Sequence, residues 1–168
     1  MEELHLYFEA SLERLHSLPG AATLHFAVGG EEKIYLGDHR KPNGAYIENA
    51  VDRAMAIYEA LPGRPDLLRI DGCPALPFLP PPGEQYRGSC YWGLPKEPPF
   101  LRKLLREIIR SELDPAGIEA LASGVYFLDA CRNVLYFLYD DRGCDVTAPD
   151  RETLRPLLDR CGQWLNEP

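Results

Sequence analysis

The stretch VYFLDACRNVLYFLYDDRGCDVTA, residues 125–148, constrains the fold more tightly than any other part of the chain. It holds three runs rich in aromatic and β-branched residues, 125–130, 133–140 and 144–148, separated by a few turn-forming residues, the first turn at Cys131-Arg132. Parallel neighbours need a crossover of about a dozen residues, so connections this short commit the runs to antiparallel pairing. The first two runs are apolar at successive rather than alternate positions, which predicts central strands covered on both faces. The fold class that follows is α+β, a mainly antiparallel sheet of roughly five to six strands under about three to five helices.

The second connection, YDDRG (139–143), carries two adjacent carboxylates, an arginine and a glycine, and so invites a chemical interpretation. A type I turn accounts for it: Asp140 at the first position accepts backbone N–H bonds, and Gly143 at the fourth takes the left-handed conformation. A calcium loop needs a further spaced series of oxygen ligands ending in Glu, and that series is absent. Asp140 and Asp141 would also point to opposite faces in an extended strand, so they do not chelate together. Asp145 escapes this account. If Tyr139 pairs with Cys144, Asp145 stands opposite Leu138 on the face of Val125, Phe127 and Tyr136. A carboxylate beside so apolar a surface needs a partner or neutralises. Arg53 is the candidate partner in a structural ion pair; a wet position at the sheet margin and a catalytic carboxylate are the alternatives.

The rest of the chain supplies the remaining elements. Residues 3–17 place Leu4, Tyr7, Phe8, Leu12 and Leu15 on one helical face before Pro19-Gly20. ATLHFAV (22–28) alternates like a strand, with 33–38 as its hairpin partner. Residues 45–61 form a helix with the stripe Ile47, Ala50, Val51, Ala54, Tyr58 and Leu61, and 67–73 form a strand. The helix at 100–110 turns Phe100, Leu101, Leu104, Leu105, Ile108 and Ile109 inward. It exposes Arg102, Lys103, Arg106 and Arg110, a solvated face or an anion or RNA contact. Asp114-Pro115 opens a short helix to about Leu121, and a last helix runs over about 153–165 with Pro156 in its first turn. Between these lies PALPFLPPPGEQYRGSCYWGLPKEPP (74–99), with eight of the sixteen prolines. Proline removes the ladder N–H and fixes φ, so no helix or central strand is expected there. Phe78, Leu79, Tyr86, Tyr91 and Trp92 predict an ordered loop pinned by its rings, within a single domain spanning 1–168.

Net charge is −8 and the pI about 5.0, which excludes a general nucleic-acid binder and suits a basic protein partner. No apolar run is long enough to cross a bilayer, and the acidic amphipathic start is unlike a signal peptide, so a cytoplasmic location is expected. The five cysteines, Cys73, Cys90, Cys131, Cys144 and Cys161, have no CxxC spacing, which argues against zinc and predicts free thiols. No GxGxxG, P-loop or nucleophile elbow is present, so no cofactor and no catalytic residue is assigned. Cys90, in RGSCYWG, is the weak exception: small neighbours and Arg87 give a faint hint of a reactive thiol.

LYFLYDDRGCDVTAPDRETLRPLL at the end of the chain resembles the closing segment of the family called domain of unknown function 3885, with its YDDRG, an Asp two residues on, a strand, and a helix containing LRP. YIENAVDRAMAIYEAL is similar to that family's helix with an Arg-Ala pair, here Arg53-Ala54. LHFAVG stands where the family has an Arg-Phe strand, with His25 in place of the arginine. The resemblance implies an α+β domain of a bacterial cytosol and brings no activity. The function expected is a non-enzymatic protein-binding module, in its most concrete form an immunity protein or antitoxin masking a basic toxin, with Tyr86, Arg87, Tyr91 and Trp92 as anchors. The alternative is a small-molecule-binding or hydrolytic enzyme with loop 74–99 as a lid over Asp145, Arg53 or Cys90.

Overall fold

The computed structural model describes residues 3–30, 35–36, 41–42, 44–111, 113, 121 and 124–166. In chain order these form α1 (Leu4–Ser17), β1 (Ala22–Ala27), β2 (Tyr35–Leu36), β3 (Lys41–Pro42), α2 (Gly44–Glu59), β4 (Leu67–Asp71), β5 (Glu84–Tyr86) and β6 (Ser89–Gly93). They continue with α3 (Leu101–Arg110), β7 (Val125–Asp129), β8 (Val134–Leu138), β9 (Gly143–Ala148) and α4 (Arg155–Cys161). One sheet has seven strands in the order β1-β9-β8-β7-β4-β6-β5, and every ladder in it is antiparallel. The fold is α+β as the turn spacing requires, with more strands than the sequence suggests. β2 and β3 pair with each other in a separate two-stranded ladder, so the strand expected at 33–38 is not the partner of β1; that partner is β9. The helix expected from Asp114 lies outside the described residues.

The extra strands come from the proline-rich stretch. Its prolines cluster at both ends and leave 83–94 free of them. There Tyr86 pairs with Ser89 across a two-residue turn in which Arg87 (φ 49°) and Gly88 (φ 82°) are both left-handed. That is the turn whose twist suits a hairpin. β6 then pairs with β4, so the middle of the segment is woven into the sheet. Cys73 and Cys90 form a disulfide across the base of this segment, with a Cα–Cα distance of 5.2 Å. This corrects the expectation of five free thiols and leaves Cys90 no thiolate for nucleophilic chemistry; Cys131, Cys144 and Cys161 are free.

The two sheet faces are covered differently. On the inner face α2, α3 and α4 bury Ala50, Val51, Ala54, Ile57, Leu104, Leu105, Ile108, Ile109 and Leu157 against Leu68, Ile70, Phe127, Tyr136, Leu138 and Val146. Tyr136 sits fully inside this layer and its hydroxyl donates to Ala54 O at 3.0 Å. On the outer face α1 sets Phe8 and Leu15 on Leu67, Tyr91, Leu128 and Leu135. Tyr7, expected inside, is exposed, and Ser11 takes a buried place on the helix. The basic stripe of α3 is answered by α2: Arg102 donates to Glu48 and Asp52, and Arg106 to Glu48. The last helix is shorter than expected, α4 being flanked by 3₁₀ turns at Glu152–Leu154 and Gly162–Trp164, with Pro156 in its first turn.

The YDDRG corner reverses the chain between β8 and β9. Asp140, almost wholly buried, accepts the Arg142 N–H at 2.7 Å and the Arg142 guanidinium. Asp141, also buried, accepts the Tyr46 hydroxyl at 2.7 Å. The role expected for Gly143 needs correction. It does not take a left-handed φ; it is the first residue of β9, paired with Ala27, and a Cβ there would collide with the Phe26 carbonyl oxygen. Close backbone approach, not turn conformation, demands the glycine. Gly143→Ala is therefore expected to destabilise the protein by about 1–3 kcal/mol through forced displacement of β1. Gly30→Ala, with open space around its Cβ position, should be neutral within about 1 kcal/mol. Urea midpoints of the two variants check this, and an unperturbed Gly143→Ala midpoint contradicts it.

Candidate binding face

Strand register places one side chain from each of seven strands in a single row across the outer face: Glu84, Tyr91, Arg69, Tyr126, Phe137, Asp145 and His25. Each of Arg69, Asp145 and His25 is flanked in sequence by core residues, as in LRI, CDV and LHF. Because side chains alternate along a strand, those flanks commit the polar residue to the side opposite the core.

α1 closes the first half of the row. Tyr91 hydroxyl donates to Glu9 at 3.0 Å and Arg69 Nη1 to the same carboxylate oxygen at 2.6 Å. Arg69 Nε reaches Asp71 at 3.0 Å, and Ser89 hydroxyl donates to that Asp71 oxygen at 2.8 Å. The guanidinium also lies over the rings of Phe8 (5.2 Å) and Tyr126 (4.6 Å). At the sheet edge Glu84 accepts the His5 backbone N–H and pairs with its ring, and His5 stacks on Tyr86 at 3.9 Å. Glu9, Arg69, Asp71, Tyr86, Arg87 and Ser89 border a shallow cavity of about 530 Å³. Arg69 is held by two carboxylates and two rings, so it serves as a hub between α1 and the sheet, not as a free cation.

The second half of the row is exposed or half-exposed. Tyr126 and Phe137 stack at 4.6 Å, and Tyr139 leans on Phe137 at 5.5 Å. Beyond them His25 Nδ1 meets Asp145 Oδ1 at 2.6 Å, with the imidazole side chain 52% exposed. Thr23 and Thr147 hydroxyls meet at 2.8 Å in the next row. Burial pushes Tyr91 and Tyr139 up to about 12, aided by Glu9 in the first case and Asp145 in the second. Burial also pushes Tyr58, on the inner face, up to about 12. The result is an aromatic centre with a polar rim. Among the described residues no group of His, Cys, Asp and Glu is arranged to hold a metal ion.

The expected site residues fall into separate places. Asp145 pairs with Phe137, not Leu138, because Leu138 faces Cys144. That one-residue difference turns Asp145 to the outer face, away from α2, and removes the predicted ion pair with Arg53. Arg53 instead lies over the Trp164 ring at 5.7 Å and reaches Gly29 O at 3.4 Å. Tyr91 and Trp92 are buried on opposite faces, Trp92 Nε1 donating to Pro80 O at 2.9 Å, so neither is presented as an anchor. Tyr86 is 38% exposed between His5 and the Arg87 guanidinium at the hairpin tip. The aromatic trio Tyr126, Phe137 and Tyr139 was not singled out from the sequence, although its alternation with Phe127, Tyr136 and Leu138 was there to be read.

A family model described as domain of unknown function (DUF3885) matches residues 79–167. The chain is 40% identical over 43 residues to the uncharacterized protein YnaE of Bacillus subtilis (strain 168). That match takes in 26% of this chain and 20% of YnaE, so it spans about a fifth of the relative's length. No solved structure matches the chain. No helix among the described residues is long and apolar enough to cross a membrane.

Two outcomes follow from the geometry. Arg69→Met keeps the stem but leaves Glu9 and Asp71 with only the Tyr91 and Ser89 hydroxyls and no balancing cation, and is expected to lower unfolding free energy by about 1–2 kcal/mol, checked by urea titration. Tyr58, Tyr91 and Tyr139 ionise later in the fold than their ordinary 10.0. Their contribution to stability is intact below about pH 10 and is lost as pH rises towards about 12, because the unfolded chain ionises first. Phenolate absorbance against pH should show these tyrosines titrating late and together with unfolding.

Proposed function

The chain belongs to the DUF3885 family, and on that premise we propose that it is a non-enzymatic protein-binding module that docks a basic protein on the open half of the outer sheet face. Tyr126, Phe137 and Tyr139 supply the apolar centre, and His25, Asp145, Thr23 and Thr147 the polar rim. The single observation that carries this is the uneven covering of the row: α1 seals Glu84, Tyr91 and Arg69, while Phe137 and Tyr139 remain half-exposed beside Tyr126 and the His25–Asp145 pair stays accessible. Aromatic centres with polar rims are the common anatomy of protein interfaces, and rigid rings bury area at little entropic cost.

A net charge of −8 favours a cationic partner and speeds its encounter. An immunity protein or antitoxin that masks a basic toxin is the most concrete form of this function. The enzymatic alternative with a lid has less support: Cys90 is in a disulfide, Arg53 and Asp145 stand on opposite faces of the sheet, and the supposed lid supplies two strands.

The test is capture of a partner from lysate of the native host, identification of that protein, and titration of the two purified proteins. Phe137→Ser should weaken binding at least about tenfold, with a circular dichroism spectrum and a cooperative unfolding transition showing that the fold is retained. Asp145→Lys should slow association and reduce its salt dependence. A partner that is acidic, or one that binds both variants as tightly as the parent, overturns the proposal.

A further inference from the structure

On the opposite side of the molecule, a cavity of about 500 Å³ opens where the C-terminus of α2 meets the N-terminus of α3, bordered also by Arg160 of α4. Its size suits a small metabolite. Four cationic side chains, Arg64, Lys96, Arg102 and Arg160, line it together with the carboxylates Glu59 and Glu97. Arg102 is already matched by Glu48 and Asp52. Arg64 and Arg160 each spend one N–H on the same acceptor, the Glu59 carbonyl, at 3.2 and 3.5 Å. Each guanidinium carries five donors, so both keep several for a ligand.

Two further features point to an anion. α3 is ten residues long and starts at this cavity behind Pro98-Pro99, with no side-chain cap on its first turn. Its N–H groups and dipole favour negative charge there. Tyr58 forms part of the wall, is 3% exposed, and its hydroxyl has no hydrogen-bond partner in the protein. A buried hydroxyl without a partner is uncommon and is satisfied when a ligand oxygen supplies one.

We propose that this cavity is a binding site for a small-molecule phosphate monoester, its phosphate held by Arg64, Arg160, Lys96 and the N-terminus of α3, with the Tyr58 hydroxyl donating to it. Phosphate suits the site better than a carboxylate because it offers more acceptor oxygens and a second charge to a donor set of this size. The site is independent of the outer sheet face, since the sheet lies between them.

The experiment titrates the intact protein with inorganic phosphate and with phenyl phosphate at constant ionic strength, chloride serving as the control anion. Calorimetry gives the affinity, and backbone and arginine side-chain NMR shifts give the location. Saturable binding is expected, with shifts at the amides of Arg102 and Lys103 and at the side chains of Arg64 and Arg160. Tyr58→Phe should weaken binding about fivefold with little change in thermal midpoint. The exposed-site variants Arg64→Ala and Arg160→Ala should each weaken it by about tenfold or more. No saturable binding of either probe overturns the proposal, as does binding that survives all three substitutions or shifts confined to another surface.

Discussion

Register across the β8–β9 corner is the constraint on which the outer face depends. Side chains alternate with a period of two, so a slip of one residue would turn every side chain of β9 over. Asp140 fixes the corner by accepting the Arg142 N–H and guanidinium, and Asp141 ties the same corner to Tyr46 of α2. Gly143 then lets β1 approach so closely that no Cβ fits. With Leu138 opposite Cys144, both belong to the core and Phe137 and Asp145 share the other face. The adjacent aspartates are thus spent on geometry, and their effect on function is indirect: they decide which face Asp145 adorns.

The same alternation explains how one sheet supports two unlike coverings. Toward α2, α3 and α4 the row Leu68, Phe127, Tyr136 and Val146 is uniformly apolar, so three helices can share it. Toward α1 the rows are mixed. Leu67, Leu128 and Leu135 make a narrow apolar strip that one helix can cover with Phe8 and Leu15, and the row beside it carries Arg69, Asp145 and His25. That strip ends at Thr147 and Thr23, so its own row offers no further apolar side chain to a helix. The sheet's edge at β1 is handled differently, by the residues after α4: the Asn166 N–H donates to His25 O at 2.7 Å, which occupies a group that would otherwise invite strand addition.

Fold class was legible because it rests on local signals. Short connections within 125–148 imposed antiparallel pairing, and 3.6-residue periodicity located α1, α2 and α3 within a residue or two. What escaped has physical reasons. Proline counts over 74–99 concealed that 83–94 contains none, and the left-handed pair Arg87-Gly88 is a hairpin signal only when read as a two-residue loop. The Cys73–Cys90 bridge joins residues brought together by the β4–β6 ladder, which spacing in sequence does not disclose. Asp145 was correctly marked as the carboxylate the turn does not use, but its partner is His25 because register, a long-range property, assigned it to the other face.

Charge distribution separates the two candidate sites more clearly than net charge does. The stripe on α3 has the composition of a nucleic-acid contact, yet Arg102 and Arg106 are bound to Glu48 and Asp52 on α2, and Arg110 to Glu107 beside it. Those pairs hold Glu48 below the usual carboxylate range, chiefly through Arg106, so the cancellation persists at neutral pH. A surface neutralised in this way has little net positive charge left to displace counterions. What it leaves is local: guanidinium donors of Arg64 and Arg160, a lysine and a helix terminus around one cavity, the set invoked for the proposed phosphate. In the proposed function the acidic surplus acts at longer range and favours a cationic partner on the side where Asp145 stands beside the half-exposed rings.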